Sequence, residues 1–473
     1  MPVGDILPEL SLILGAAIIL VSATFLPRQR HLCCTLLALM TLAVAMGLTL
    51  DQWSLTNQLS FKTVWAIDRG AVIAKSIILA ATFICVLLSP QWLNKDRRHG
   101  EYYTLVLFTA LGAIVLASAN GSMELIMGVL LSSAASYPLV AFHRNWAPST
   151  EAGMKYFLAG ALANAILLVG VVLLFGLVGD TAYGVIHTQL AARADPWILT
   201  AGFACVLTGL CFKLAAFPLH TWMPDVAQGA PVPVAALLSV VPKIGAAVAL
   251  ARFVQILPVD FSWPALLACV AAATMTLGNL AAVWQKDMRR LLGWSSVSQS
   301  GYALMAVTVL NRTDSALPAL LVFLAGYATA NLALFAAVTA LRGRTDFADY
   351  AGLSQKQPAI ALVIVVSFLS LVGIPPLFGF FGKLALFSST IEGRYLWLAV
   401  LAIANTVISL FYYLRLVQIM YFKAPEQSMH LLGKLSWGTT LAMGIGVLAL
   451  GLAAQGVLAL INTVGFATGN WNG

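Results

Sequence analysis

Charge is scarce in this sequence. Only 9% of its 473 residues are Asp, Glu, Lys or Arg, against roughly 25% in a soluble domain, and mean hydropathy is +0.91. That scarcity excludes a water-soluble globular class, whatever number of domains the length would allow. Cysteine is sparse too. Cys33, Cys34, Cys85, Cys205, Cys211 and Cys269 lie in or beside apolar runs, with no CxxC pair and no Cys/His cluster of zinc spacing, and read as buried, inert thiols. The histidines show no haem or iron–sulfur spacing. There is no P-loop, no convincing dinucleotide fingerprint and no HExxH metal motif. Metal and cofactor sites are therefore not expected in this chain, and electron transfer would belong to other chains. The net charge of +8 does not signal nucleic acid, because the Lys and Arg residues sit in short loops between apolar runs.

Long apolar runs are what the sequence has in abundance. A bilayer-crossing helix needs about 20 mostly apolar residues. By that measure fourteen spans begin near Ile6, Leu32, Gly70, Tyr102, Met123, Gly153, Pro196, Val232, Trp263, Arg290, Ala316, Pro358, Tyr395 and Trp437. The runs are too long for membrane strands and lack period-2 alternation. The first, LPELSLILGAAIILVSATFL, has no basic leader and no small-residue cleavage site, so it reads as a retained helix. The expected fold is an all-α polytopic membrane protein.

Loop charge sets the expected orientation. Loops after odd-numbered spans carry Arg28 and Arg30; Lys95, Arg97 and Arg98; Arg144; Lys286, Arg289 and Arg290; Arg342, Arg344 and Lys356; Lys423 and Lys434. Those after even-numbered spans carry fewer, such as Lys62, Arg69, Arg193, Arg312 and Arg394. The positive-inside rule puts the odd loops in the cytoplasm and both termini on the periplasmic side.

Two spans are interrupted. FKLAAFPLHTWMP breaks at Pro218, and FLSLVGIPPLFGFFGKLALF breaks at Pro375 and Pro376. Paired Pro/Gly interruptions in corresponding places of two halves point to an inverted-repeat transporter. The repeats would occupy residues 101–255 (spans four to eight) and 256–424 (spans nine to thirteen). Residues 1–100 would supply three preceding helices and 425–473 a fourteenth. Broken backbone at membrane depth survives only where protein or trapped water satisfies it.

Three lysines stand inside apolar spans: Lys213 just before the first break, Lys243 near the middle of the next span, and Lys383 just after the second break. Each costs roughly 2.5–3.5 kcal/mol at the bilayer centre on insertion scales. Snorkelling is the competing account of Lys383. Desolvation favours the neutral amine and a nearby carboxylate or water the ammonium, so such a lysine can load and release a proton. His220, past the Pro218 break, suits either a hydrogen-bonded structural role or proton exchange. Asp225 reads as a cap on the helix resuming after Pro224. Ser295, Ser296, Ser298, Gln299 and Tyr302 form a polar stripe, open either to helix packing or to lining a water path.

The run FKLAAFPLHTWMPDVAQGAPVPVAALLSVVPKIG resembles the signature of the antiporter-like proton-channel subunits of respiratory complex I. Among them the likeness is nearest to the subunit N family of bacterial NADH:quinone oxidoreductase. EYYTLVLFTALGAIVLASAN, EAGMKYFLAGALANAILL, DMRRLLGWSSVSQSGY and LVGIPPLFGFFGKL are similar to further blocks in the expected order, from about Glu101 to Lys423. The resemblance implies fourteen helices with two inverted five-helix repeats. It also implies a proton relay through Lys213, Lys243 and Lys383; by their own placement in the sequence, His220 is a further relay candidate and Glu124, Gln299, Ser296 and Tyr302 are candidate supporting residues. The chain would be a non-redox subunit of a translocase in the bacterial inner membrane, without a complete active site. NADH, quinone, flavin and Fe–S clusters would be handled by partner subunits, and its own contacts would be other membrane-arm subunits and lipid. Membrane-bound hydrogenases and Mrp-type cation/proton antiporters share the signature and supply the alternative, moving Na⁺ as well as H⁺. A non-conducting scaffold subunit is a third reading.

Two positions depart from the family pattern. Its fifth span carries a glutamate in a G-x-E-L-x-S-like block; here the block is GVLLSS and the position is Leu130. Glu124 lies six residues earlier, about 9 Å along a helix and on another face. Gln299 stands where many relatives have a histidine. The first half-channel is accordingly expected to be impaired, rewired through Glu124, or silent.

Overall fold

The structure is a computed structural model, describing residues 3–26, 32–54, 57–93, 98–193, 196–258, 263–424, 433–461 and 464–467. The orientation charges Arg28, Arg30, Lys95 and Arg97 lie outside the described residues. The chain runs through α1 (Leu7–Phe25), α2 (Leu32–Asp51), α3 (Arg69–Trp92), α4 (His99–Ser118), α5 (Ser122–Val140), α6 (Ala147–Val178) and the short α7 (Tyr183–Arg193). It continues through α8 (Pro196–Leu214), α9 (Trp222–Gly229), α10 (Val232–Gln255), α11 (Trp263–Val283), α12 (Met288–Thr308) and α13 (Ala316–Ala340). It ends with α14 (Leu353–Lys356), α15 (Pro358–Val372), α16 (Phe378–Glu392), α17 (Leu396–Phe422), α18 (Lys434–Leu452) and α19 (Ala454–Ile461).

All fourteen expected span starts fall at or near a helix start, the widest offset being Gly153 against Ala147. Twelve helices among the described residues are long and apolar enough to cross a membrane. A thirteenth crossing counts if Phe347–Lys356 and Pro358–Val372, bent by 118°, form one span. Helix α12 does not reach that hydropathy because of its serines, Gln299 and paired arginines. A two-stranded hairpin, β1 (Gln58–Ser60) with β2 (Trp65–Ile67), closes the α2–α3 connection and was not signalled by the sequence.

Helix α10 is the axis of the molecule and packs against α3, α4, α8, α12 and α13. Its most apolar window is fully buried, and that of α13 is 89% buried. Small residues permit this closeness: a Cβ on Gly245 would lie 2.5 Å from the Ala113 carbonyl oxygen of α4. Without water to drive burial, membrane helices associate through such close packing and interhelical hydrogen bonds. In the α4–α5 hairpin, Gly112 seats against the backbone nitrogen of Ser132; in the α11–α12 hairpin, Gly278 seats against that of Ser298. The cysteines are free; Cys34, Cys85 and Cys211 are buried as expected, but Cys33 and Cys205 are only half-buried and Cys269 on α11 is exposed.

Candidate functional site

Both interruptions fall where the prolines placed them, and both are closed by protein groups. Helix α8 stops at Leu214, where Ala215 turns to φ 53°; the Phe217–Pro218 bond beyond it is cis. The last carbonyls of a helix lack intrahelical partners. Here Cys211 O accepts from Ala216 N at 2.7 Å, and Phe212 O accepts from Trp222 Nε1 at 3.0 Å. Leu214 O accepts from the hydroxyl of Ser300 on α12. At the second break α15 ends on Gly373 at φ 93°, and Pro375–Pro376 is cis. There Leu371 O accepts from Gln299 Nε2 at 3.4 Å, and Val372 O accepts from Lys383 Nζ at 3.0 Å.

The three lysines are all buried, at 1% exposure for Lys213, 2% for Lys243 and 3% for Lys383. Lys213 donates to Ser132 Oγ of α5 at 3.4 Å. Lys243 donates to Ser296 O at 2.7 Å, Ser296 Oγ at 2.6 Å and Ser300 Oγ at 3.0 Å. Those contacts match the three donors of an ammonium. From Ser296 the bonding runs to Tyr327 OH at 2.7 Å, and Tyr327 donates to Ser239 O at 2.7 Å. Lys383 does not snorkel. Its Nζ also lies 4.3 Å from the centroid of the Tyr302 ring, within cation–π range, and 3.4 Å from Thr406 Oγ1. Tyr302 OH in turn contacts Thr406 Oγ1 at 3.0 Å.

Helix α12 therefore joins the parts. Ser296 and Ser300, one turn apart on one face, hold Lys243, while Gln299 and Tyr302 face the second break and Lys383. The polar stripe serves the lysines as well as helix packing. Among the described contacts, hydrogen bonds connect the first break to Lys243 through Ser300. Between Lys243 and Lys383 the α12 polar groups line the interval without forming an unbroken hydrogen-bonded chain.

Other expected residues stand apart. His220 is 9% exposed, with its ring 5.8 Å from that of Trp294, and among the described residues no hydrogen bond to Nδ1 is formed. Among the described contacts no bond joins it to a lysine. Glu124 lies in the first turn of α5, with Oε2 buried beside Gly121. No ion pair among the described residues brings it to Lys213. Leu130 is 41% exposed on the outside of the chain, so it is Ser132, not Leu130, that faces Lys213.

Asp225 does not cap a helix. It sits inside the first turn of α9, and its carboxylate takes Arg290 Nη1 at 2.8 Å and Lys155 Nζ at 3.0 Å. Arg289, read as a loop charge, is 2% exposed and donates to the Ala227 and Ala230 carbonyls at the end of α9. Basic side chains satisfy terminal helix carbonyls in this way.

Two buried ion pairs escaped the sequence reading. Lys75 of α3 meets Glu9 of α1 at 2.7 Å. Arg252 of α10 meets Asp68 at 2.7 Å, with both side chains at 0% exposure. A cation and an anion in separate apolar stretches are the only sequence signal for such a pair, and it does not say which belongs with which.

The fold and the lysine-bearing breaks define a class: polytopic membrane subunits of the antiporter-like type. Residues 119–409 match the family described as NADH:quinone oxidoreductase/Mrp antiporter, TM. The chain is 40% identical over 415 residues to NADH-quinone oxidoreductase subunit N of Mycobacterium sp. (strain JLS), covering 88% of each chain. It superposes with a TM-score of 0.84 and 30% identity on a chain of respiratory complex I from Thermus thermophilus, over 97% of this chain and 100% of that one. A chain of the Mrp complex from a Dietzia species shares the fold, with a TM-score of 0.84 at 21% identity over 99% of this chain and 98% of that one. The protein belongs to the NADH:quinone oxidoreductase/Mrp antiporter family.

Proposed function

We propose that this chain is a proton-translocating membrane-arm subunit of a complex I-like NADH:quinone oxidoreductase, in a bacterial respiratory membrane. The observation that carries the reading is the placement of Lys213, Lys243 and Lys383 at the two breaks and on the central α10, with α12 running between them. Lys243, with three acceptors around its Nζ, is held as ammonium while they face it and loses that advantage when one turns away. Proton transfer along the row then needs rotations of Ser132, Ser300, Ser296 and Tyr302 together with water bridging the intervals that their hydrogen bonds leave open. Gln299 holds the Leu371 carbonyl and does not titrate. His220 and Glu124 serve the first half from positions off the lysine row.

In this reading the chain is non-redox. Its energy comes from partner subunits that hold NADH, flavin, Fe–S clusters and quinone, and it binds no cofactor of its own. The repeats occupy 101–255 and 256–424, a division supported by the matching glycine-on-serine contacts of the α4–α5 and α11–α12 hairpins. The loop-charge bias supports periplasmic termini. Leu130, facing outward in place of a carboxylate, favours a second reading in which the first half does not conduct and the chain acts there as a scaffold.

The test is Lys243→Met in the intact assembly reconstituted into liposomes. NADH-driven acidification should fall to background for this chain's share of the protons. Acidification per NADH equal to the parent's would refute the relay and leave the scaffold reading standing.

A further inference from the structure

Ser300 occupies a position that the relay reading alone does not assign. Its Oγ accepts from Lys243 Nζ at 3.0 Å. The same oxygen lies within donating reach of two carbonyls, Leu214 O at the end of α8 and Ser296 O one turn back on α12, the latter at 3.0 Å. A serine hydroxyl has one hydrogen and two lone pairs. It can serve only one of those carbonyls at a time, and it can accept from Lys243 only while its hydrogen points elsewhere.

Leu214 is the residue after Lys213, and its carbonyl is one of those left over where α8 stops. The neighbouring carbonyls have other partners, since Cys211 O takes Ala216 N and Phe212 O takes Trp222 Nε1. Ser300 is thus the side chain that ties the backbone at the first break to the ammonium on α10. Ser296 cannot replace it. Tyr327 gives its single hydrogen to Ser239 O, so the Ser296 hydroxyl, while it bonds Tyr327, must donate to it.

We infer that Ser300 is a positioning residue whose hydroxyl transmits the protonation state of Lys243 to the helix break beside Lys213. With Lys243 as ammonium, Ser300 accepts from it and donates to Leu214 O, so the break is held. When the proton leaves, the neutral amine offers a lone pair, the Ser300 hydrogen turns to it, and Leu214 O is released. No bond other than hydrogen bonds changes, and the proton count is that of Lys243 alone. The two lysines are then coupled by an O–H rotation rather than by direct contact. A carbonyl unsatisfied at membrane depth is costly, so releasing it favours movement of the break that carries Lys213.

This inference rests on the proton-relay reading, and the experiment separates the two. Ser300→Ala, Ser300→Cys and Ser300→Thr are made in the intact assembly and reconstituted beside Lys243→Met. The initial rate of NADH-driven acidification is measured, with assembly checked by subunit content. Thr keeps the hydroxyl and adds a methyl, while Cys keeps the size and replaces a good donor by a poor one. The expected result is roughly three- to tenfold slower acidification in Ala and Cys, about the value of one hydrogen bond, with Thr close to the parent. If Cys pumps as well as the parent and Thr is defective, Ser300 is a packing residue and the inference fails. Parental rates in both Ala and Cys overturn it as well. If Ala does not assemble, the size-matched Cys variant decides alone. A dead Lys243→Met with parental Ser300 variants removes this inference only, whereas a fully active Lys243→Met removes the relay itself.

Discussion

Breaking the Asp68–Arg252 pair from one side should unseat the molecule. Asp68 accepts from Arg252 Nη1 at 2.7 Å and Nη2 at 3.2 Å, caps α3 through Ala71 N at 2.8 Å, and accepts Ala467 N at 3.0 Å. Arg252 also lies 4.1 Å from the centroid of the Phe466 ring. Removing one member of a fully buried pair leaves the other charge unpaired, which costs about 3–5 kcal/mol. Asp68→Leu additionally loses an N-cap, about 1 kcal/mol, so this variant should be less stable than Arg252→Met. In Arg252→Met with Asp68→Leu both charges are gone. What remains lost is the cap and the Ala467 contact, together about 2 kcal/mol. The double variant should therefore be more stable than either single one, with a coupling of about 5 kcal/mol or more from these figures. Thermal unfolding of the purified assembly, followed by retention of this subunit, reads the cycle. Single variants matching the parent, or a double variant losing the sum of the two, would refute the reasoning.

Three further outcomes follow from the same geometry. Gly373→Ala forces a Cβ to φ 93° and to 3.1 Å from Lys383 Cδ; stability should fall by about 1–3 kcal/mol, and acidification should slow, whereas an unchanged pump rate would separate Lys383 from the second break. Glu9→Gln alone should weaken retention of the subunit more than Glu9→Leu with Lys75→Met, by the buried-pair argument used above, and the reverse order in a detergent-stability series would sink that argument. Leu130→Glu should leave the protons moved per NADH unchanged, because the position faces outward and Ser132 is what meets Lys213; a raised ratio would show that a carboxylate there reaches the relay.

The fold was legible because hydropathy recurs at span length and because prolines and glycines mark the breaks. Lys213, Lys243 and Lys383 were legible for a similar reason, each being a single cation in an apolar run. Lys75 was equally buried but stands near the start of α3, where a lysine reads as interfacial, and Glu9 gave no hint that it crosses to α3. Arg252 was hidden in the same way by its place in the last turn of α10. Arg289 and Arg290 looked like loop charges because the short α9 they bind could not be placed by pattern. Within the polar stripe, spacing marked residues 295, 296, 298, 299 and 302 but passed over Ser300. Periodicity shows that a helix is polar, not which hydroxyl meets a lysine on another helix. The outward face of Leu130 depends on how α5 is rotated against α4, and packing decides that rotation.

The seat of Phe466 and Ala467 on the Asp68–Arg252 pair sets an order for biogenesis. Asp68 is made early, Arg252 midway and the covering residues nearly four hundred positions after Asp68. Until ribosome and insertion machinery have delivered that last stretch, the early helices hold an uncovered ionic knot. A chain halted just short of Phe466 would carry every lysine of the relay and still present quality-control proteases with an unfinished lid.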